Sequence, residues 1–597
     1  MRNASSTYPC YYSIPLLLLF LFDMQNTGGY SSYSHSCNPN DLGALYGFSR
    51  SLITQIHDWP LADANYTHCC SWPGVSCALF SSSPIPSSPS TNSSVLSVTR
   101  VVGLDLSGKG LEGVLSTSLA VLDKLSFLNL SYNSFRGPIP PELFHLKLLK
   151  VLDLGRNRLS GQLPPGIANL TSLHHLDVSD NRFTGNIPDA FHGLQKLEVF
   201  SAKSNGFVGR LPASLSLCSM LTSLDLWNNS LDGSIDLDFR RLVRLTTLNL
   251  GYNRFQGLIP EVLFSCKALN ILNLSLNKLS GQVPEKLGNL RSLSYLNLNG
   301  NSLSNISEAL QVLQDCRNLT VLGLTQNFQG EEMPRHGIRG FPNLRSLTVG
   351  NCGLTGSIPS WLRNCREIRG VDLSSNHLSG EIPSWFGGFD HLFRLILSNN
   401  SFHGEIPLSL TQLKSLTSGV TLLQHDDSSS GTPLFYWYRG KPISEAFIYN
   451  SYTHFPPALD LSHNRLNGSI WKEFGNLKYL HLLDLSWNNF SGSIPEQLSS
   501  MVNLESVAYN HLQGIIPSGG QFSSFPCSSF EGNPGLYSNS MLFCNSTLSA
   551  PYHKEDDDND EDKFVFFGVP FAVGLILGFL PTVYLLMCWW DQKYEYE

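Results

Sequence analysis

The 597 residues carry no signature of a catalytic machine. P-loop, HExxH, GxSxG and protein-kinase motifs are all missing, which removes the chemistry that each of them supports. Positive charge is scarce as well: 39 Lys and Arg stand against 47 Asp and Glu, for a formal net charge of -8. Seven of the acids fall in a single run from Glu555 to Asp562, so the body of the chain is close to neutral and offers no basic face for nucleic acid. After Trp590 the only basic residue is Lys593, too little for charge asymmetry to set an orientation. Nothing in the sequence calls for a cofactor or a metal, and the scattered acids and histidines follow a repeat rather than a cleft.

Two apolar segments frame the rest. Ile14 to Phe22 has the length of a signal-peptide core and is too short to span a bilayer. It predicts a signal peptide over 1–30, with cleavage in the small-residue stretch between Gly28 and Ser36. Residues 564–590 are uncharged and long enough to cross a membrane with some tilt. Together they predict a single-pass type I protein of the plasma membrane, with its N-terminus outside and a cytoplasmic tail at 591–597. Thirteen cysteines in an exported chain favour disulfides over zinc. Cys37, Cys69, Cys70 and Cys77 precede the first repeat. Adjacent cysteines do not readily bridge each other, so Cys37–Cys69 and Cys70–Cys77 is the expected pairing of an N-terminal cap over 37–80. Sequons at Asn65, Asn92, Asn129, Asn169, Asn228, Asn273, Asn305, Asn318, Asn399, Asn467, Asn489 and Asn545 agree with export.

The dominant feature is periodic. Asparagine recurs at Asn133, Asn157, Asn181, Asn205, Asn229, Asn253, Asn277 and Asn301, a constant step of 24. Around each lies one phrase, as in Leu152-Asp-Leu-Gly-Arg-Asn157-Arg-Leu-Ser-Gly-Gln-Leu-Pro. Strand alternation sends the two leucines of Leu-x-Leu inward and their neighbours outward. The asparagine is placed to satisfy backbone groups of neighbouring coils that the bend would otherwise bury unpaired. The series continues through Asn327, Cys352 in the asparagine slot, Asn376 and Asn400, jumps 64 residues to Asn464, and ends at Asn488 and Asn510. Sixteen repeats are expected over 99–525, the first with Lys109 in the slot. The last lacks the usual Leu-x-Leu. Two stretches break the pattern: a Ser/Pro-rich insertion over 81–98, and an insert over 417–457 that opens polar and turns aromatic and basic in Leu434-Phe-Tyr-Trp-Tyr-Arg-Gly-Lys441.

The cap Cys69-Cys-Ser-Trp-Pro-Gly-Val-Ser-Cys77 and the Gly-x-Ile-Pro repeats resemble plant receptor-like kinases and receptor-like proteins. Asn301-Ser-Leu-Ser-Asn-Ile-Ser-Glu-Ala-Leu310, Asn318-Leu-Thr-Val-Leu-Gly-Leu-Thr-Gln-Asn-Phe328, Phe455-Pro-Pro457, Ile470-Trp-Lys-Glu-Phe-Gly-Asn-Leu477 and Ser506-Val-Ala-Tyr-Asn510 resemble the phytosulfokine receptor family in particular. The resemblance implies an α/β solenoid, a right-handed leucine-rich-repeat superhelix with disulfide caps. It also implies that 417–457 is the family's island domain. Three departures stand out. No kinase follows the expected membrane span, a full repeat before Val507-Ala-Tyr-Asn510 is missing, and the family's Leu-Cys-Gly reads Leu536-Tyr-Ser538. In a C-terminal cap and acidic stretch over 526–563, Cys527 is the replacement partner for Cys544.

Candidate ligand contacts follow. The exposed strand positions become rich in polar side chains at Asn297, Asn299, Thr325, Asn327, Thr348, Asp372, Ser374, Arg394 and Ser398; the alternative is solvated scaffold, and for Asn327 a place in the asparagine series. Phe435 and Trp437 crowd the insert with apolar area, either to meet a ligand or to pack the insert down. The resemblance gives Arg439 or Lys441 the role of meeting a tyrosine sulfate, to which a guanidinium is suited. In the expected membrane helix Gly568, Gly574 and Gly578 form a small-residue face for a partner helix, or are merely common glycines. Two binding classes compete: a receptor for a small, sulfated or unsulfated peptide acting through a partner receptor kinase, and a protein that holds a whole extracellular protein, with a ligand-sequestering decoy as a variant of either. The topology has a direct check. In membrane vesicles the repeats should be glycosylated and protease-protected while a C-terminal tag is digested; a protected tag would contradict it.

Overall fold

The structure is a computed structural model that describes residues 37–60, 68–81, 97–418, 434–436, 447–449, 456–501, 504–520, 522 and 525–538. Sixteen strands, from Ser97–Asp105 to Leu504–Ser506, form one parallel sheet in which each strand pairs with that of the next coil. Across its first strands Leu104, Leu128, Leu152 and Leu176 stand side by side in register, and all four are fully buried. The coil therefore carries its leucines into a single core that runs the length of the sheet. After each asparagine the chain forms a second, lateral strand, and nine of these pair in parallel from Glu112–Val114 to Ser302–Ser304. Proline then opens a short 3-10 turn on the far side, as at Pro165–Asn169 and Pro141–His145.

The asparagines bind the coils together. Asn157 donates from Nδ2 to the Leu130 carbonyl of the preceding coil at 3.0 Å and to its own Leu154 and Gly155 carbonyls at 3.1 and 3.2 Å. Its Oδ1 accepts from the Phe135 N–H at 3.0 Å. The same set recurs at Asn253 and Asn376. Cys352, lacking an amide, reaches the Leu324 and Gly350 carbonyls with its thiol at 3.6 and 3.2 Å. Asn376 compensates by accepting from both Cys352 N and Leu354 N.

The residue just before the ladder asparagine adopts a left-handed backbone in nearly every coil, from Tyr132 (φ 56°) to Tyr509 (φ 52°). Non-glycine residues hold this conformation only where bonding over-determines it. Here both flanks are tied: Arg156 N–H donates to Ser179 O at 2.9 Å and Asn157 N–H to Asp180 O at 3.2 Å. This row forms one rim of the sheet.

Four places depart from the plain repeat. At the N-terminus the helix Pro39–Arg50 buries Asp41, which accepts from Arg100 Nε and Nη2 at 3.0 and 2.9 Å and from Val101 N at 2.8 Å. Disulfides join Cys37 to Cys69 and Cys70 to Cys77, and Val75–Ser81 pairs antiparallel with the first coil strand. In the phrase Asn305-Ile-Ser-Glu, an α-helix, Ile306–Leu313, replaces the 3-10 turn. Glu331 of the next coil accepts the Asn305 and Ile306 N–H groups at 2.7 Å each, satisfying donors at that helix start.

The 64-residue step does not interrupt the solenoid. Arg394–Ile396 pairs directly with Ala458–Asp460, and Asn464 bonds Leu397 O at 3.0 Å and Phe402 N at 3.0 Å. Of the intervening chain, Leu434–Tyr436 and Phe447–Tyr449 form an antiparallel pair; Trp437, Arg439 and Lys441 lie outside the described residues.

The C-terminal end differs from the sequence expectation in two ways. Leu504–Ser506 still joins the sheet because Glu505 is an extra residue in a bulge: Leu483 faces Leu504 and Asp484 faces Ser506. The ladder also does not stop at Asn510. Asn533 donates to Val507 O at 3.0 Å and accepts from Leu512 N at 3.1 Å, so the cap residues complete one more coil. Cys527 is disulfide-bonded, and Cys544 lies outside the described residues. Also outside them are 1–30, most of 81–98, and 564–590 with Gly568, Gly574 and Gly578. No helix among the described residues is long and apolar enough to cross a membrane.

The ladder makes a stability prediction. Asn253→Ala strips a buried N–H and several carbonyls of their partner, each worth about 1–3 kcal/mol. Its thermal unfolding midpoint should drop by several degrees, whereas Arg254→Ala, on an exposed side chain one residue away, should leave it unchanged.

Candidate ligand groove on the concave sheet

The residue between the two leucines points out of the sheet, and in most coils it is Asp or Asn bonded to the residue two positions on. Asp372 accepts from Ser374 N at 3.0 Å and Ser374 Oγ at 2.6 Å. Asp460 holds Ser462, and Asp484 holds Ser486, in the same way. Stacked in register, these pairs make a polar floor with hydroxyls and carboxylates fixed in place.

Over the C-terminal coils that floor lies in a groove of about 630 Å³. Thr325, Asp372, Ser374, Arg394 and Ser398, among the residues singled out from sequence, all line it. Arg394 donates from Nη1 to Pro456 O at 3.0 Å, which ties the groove to the point where the long insert rejoins the coils. Beyond the insert the groove continues along Asp460, Ser462, Asp484 and Ser486, none of which the sequence reading named. Their signal was present: Leu459-Asp-Leu-Ser462 and Leu483-Asp-Leu-Ser486 repeat the phrase Val371-Asp-Leu-Ser374. One wall is aromatic. His463 stacks on Trp487 with ring centres 5.2 Å apart, and Trp487 on Tyr509 at 3.9 Å. All three occupy the left-handed rim row of successive coils.

The other singled-out residues sit elsewhere. Asn297 and Asn299 are buried in the coil just before the groove, where Asn297 accepts from Asn299 N at 3.1 Å and Asn299 from Thr325 N at 2.8 Å. Thr348 is buried in register between Gly323 and Asp372 and does not line the groove. Asn327 must be corrected. It is fully buried as a ladder residue, bonded to Leu298 O, Leu324 O and Leu303 N, and no ligand reaches it in the closed solenoid. Phe435 lies in the short insert strand.

Two of the sequons also need correction. Asn129 and Asn273 occupy the buried position between the leucines, each with Oδ1 held by the serine of its own sequon at 2.7 Å. Both sit low on the concave strand face between neighbouring coils, with almost none of the side chain open to receive a sugar. Asn65, Asn92 and Asn545 lie outside the described residues.

Family models match at residues 76–349 (leucine-rich repeat region), 342–402, 458–477 and 479–501 (leucine rich repeat) and 38–78 (leucine rich repeat N-terminal domain). The chain is a leucine-rich-repeat protein. It is similar to phytosulfokine receptor 2 of Arabidopsis thaliana, with 41% identity over 322 residues covering 47% of this chain and 30% of that protein. It is also similar to phytosulfokine receptor 1 of the same plant, with 51% identity over 184 residues (31% of this chain, 18% of the other), and to its receptor-like protein 3, with 35% identity over 323 residues (48% and 42%). The matched regions span less than half the length of each of these relatives. Among solved structures it resembles the plant peptide hormone receptor RGFR1 in complex with RGF2, with TM-score 0.59, 29% identity, and coverage of 72% of this chain and 62% of that one. A TDR receptor gives TM-score 0.55 at 27% identity, covering 73% and 75%.

Charge on the repeat floor sets a pH dependence. Burial, and then the neighbouring Asp484, push Asp460 up to about 6. Desolvation and then Asp177 push half-buried Asp153 to about 7, and desolvation takes Asp225 to about 6. An acid whose pKa is raised by folding holds its proton longer in the native state. Its ionisation penalty is absent below about pH 4 and complete above about pH 7, so stability falls as pH rises through that window. His175, lowered by desolvation, acts in the opposite sense but is a single group. The unfolding midpoint of this leucine-rich-repeat protein should therefore be higher at about pH 5 than at about pH 7.5. Asp460→Asn should reduce that difference; a midpoint that rises with pH would contradict the account.

Proposed function

We propose that this leucine-rich-repeat protein is a cell-surface receptor component that takes an extended peptide into the concave groove and signals through a partner receptor kinase. The observation that carries the reading is the groove itself: about 630 Å³ over a floor of fixed carboxylates and hydroxyls, with an aromatic wall. The likeness to phytosulfokine receptors and to a receptor solved with a peptide hormone supports the ligand class. The sequence beyond the repeats supports the topology, with an uncharged segment at 564–590 whose Gly568, Gly574 and Gly578 offer a helix-packing face to the kinase.

In this reading the insert over 417–457 flanks the groove at Pro456 and adds a strand to the peptide, so that main-chain pairing gives affinity and side chains give choice. Arg439, with Lys441 nearby, meets an acidic group of the ligand such as a tyrosine sulfate. A buried charge-assisted contact contributes about 1.5–3 kcal/mol, which is about tenfold to a hundredfold in affinity.

Calorimetry on the exported protein with paired sulfated and unsulfated tyrosine peptides tests this. Arg439→Ala should weaken the sulfated peptide by that factor and the unsulfated one hardly at all. Deleting Asp426 to Lys441 should abolish both, with the circular dichroism of the repeats unchanged. Equal losses for the two peptides would remove Arg439 as the sulfate contact. Full affinity without the insert would transfer the case to recognition of a whole protein.

A further inference from the structure

The nine sequons among the described residues fall into distinct settings. Asn129 and Asn273 are buried low on the strand face, as described above. Asn169 ends a 3-10 turn and exposed Asn318 bonds the Arg291 carbonyl, both on the far side from the sheet. Asn305 caps the one-coil α-helix, and Asn467 and Asn489 lie along the lateral strands. Asn228 and Asn399 alone stand in the left-handed rim row, at φ 57° and 53°. Only Asn399 lines the groove.

We propose that Asn399 carries an N-linked glycan that overhangs the groove, admitting an extended peptide and excluding folded proteins. The sequon is Asn399-Asn-Ser401, and the Asn399 side chain is exposed. Its base is rigid: Asn399 N–H donates to Ser462 O at 3.0 Å, and the next residue is the ladder asparagine Asn400. Asn399 Nδ2 lies 3.4 Å from Ser375 Oγ along the rim, and a glycosylated amide keeps one N–H for that contact. A branched glycan is bulky and hydrophilic. Fixed here, it projects over the rim between Ser375 and His463, above the floor of Asp372, Ser398 and Asp460. A chain lying on the floor passes beneath it. A folded partner must set its surface on the rim and meets the sugar first.

The proposal rests on the exported topology, and its test separates the two. Glycopeptide mass spectrometry of the full chain reports export through Asn318 and Asn489, and the proposal through Asn399. Occupancy is expected at all three and at neither Asn129 nor Asn273. Size exclusion is then read with His463→Cys, one rim position on from Asn399 and exposed, since the free cysteines among the described residues are all buried. Peptide mapping follows its labelling by N-ethylmaleimide and by a maleimide coupled to a folded carrier protein. The small reagent should label it equally with and without the added change Ser401→Ala. The carrier should label the glycosylated form about tenfold more slowly or worse, because a blocked approach acts on the encounter rate. Asn399→Gln must reproduce Ser401→Ala, which guards against a fold defect in either. Bare Asn399 beside occupied Asn318 and Asn489, or equal carrier rates in the two forms, overturns the glycan filter and leaves export standing. No sugar at any site overturns both.

Discussion

The ladder asparagine is the constraint on which everything else in this molecule depends. A solenoid coil has to turn twice per repeat, and each turn leaves backbone carbonyls and amides facing a core with no water. One carboxamide serves its own coil and the one before it: Asn157 satisfies carbonyls of both and an amide of the earlier one. A shorter or charged side chain could not do both. Because the tie always reaches the previous coil, each unit is built on the one before it, and the polar floor is brought into register strand by strand. The groove has geometry only because Asp372, Asp460 and Asp484 are carried on rungs of the same ladder.

Much of this was legible in the sequence because the physics is periodic. A strand leucine that must be buried and an asparagine that must bond two coils leave no freedom in spacing, so the coils and the cysteine-bearing cap could be read by counting. What failed was where periodicity and chemistry overlap. Asn327 is polar and sits amid ligand-like neighbours, yet its slot is the rung rather than the floor. Asn129 and Asn273 satisfy the local glycosylation motif, while their depth is a property of the coil. Asp460 and Asp484 were passed over for the reverse reason: they lie past the insert, and nothing local shows that 62 residues of chain return to the same face. Glu505 and Asn533 mark the limit of pattern reading, since a bulge and an irregular cap preserve the bonding while discarding the motif.

The groove also shows how a rigid scaffold is given local chemistry. Its floor repeats one unit at Asp372, Asp460 and Asp484, a carboxylate holding a hydroxyl at a fixed distance, with Ile396 set between the first two. Variation is concentrated in the rim row, where the backbone is fixed by bonds on both sides while the side chain changes from coil to coil. There the chain places an exposed asparagine, a histidine, a tryptophan and a tyrosine in four successive coils, and three of these stack.

The long insert has an entropic side. Coil 394–396 closes directly onto coil 458–460, so the ladder bond at Asn464 must gather a loop of 64 residues where its neighbours gather 24. The cost of drawing loop ends together grows only with the logarithm of length, which makes the extra chain worth about 1 kcal/mol. A single rung recovers that amount. Length at this joint is therefore almost neutral for the solenoid, and the segment is free to lengthen, shorten or change composition under demands that arise from its contacts alone.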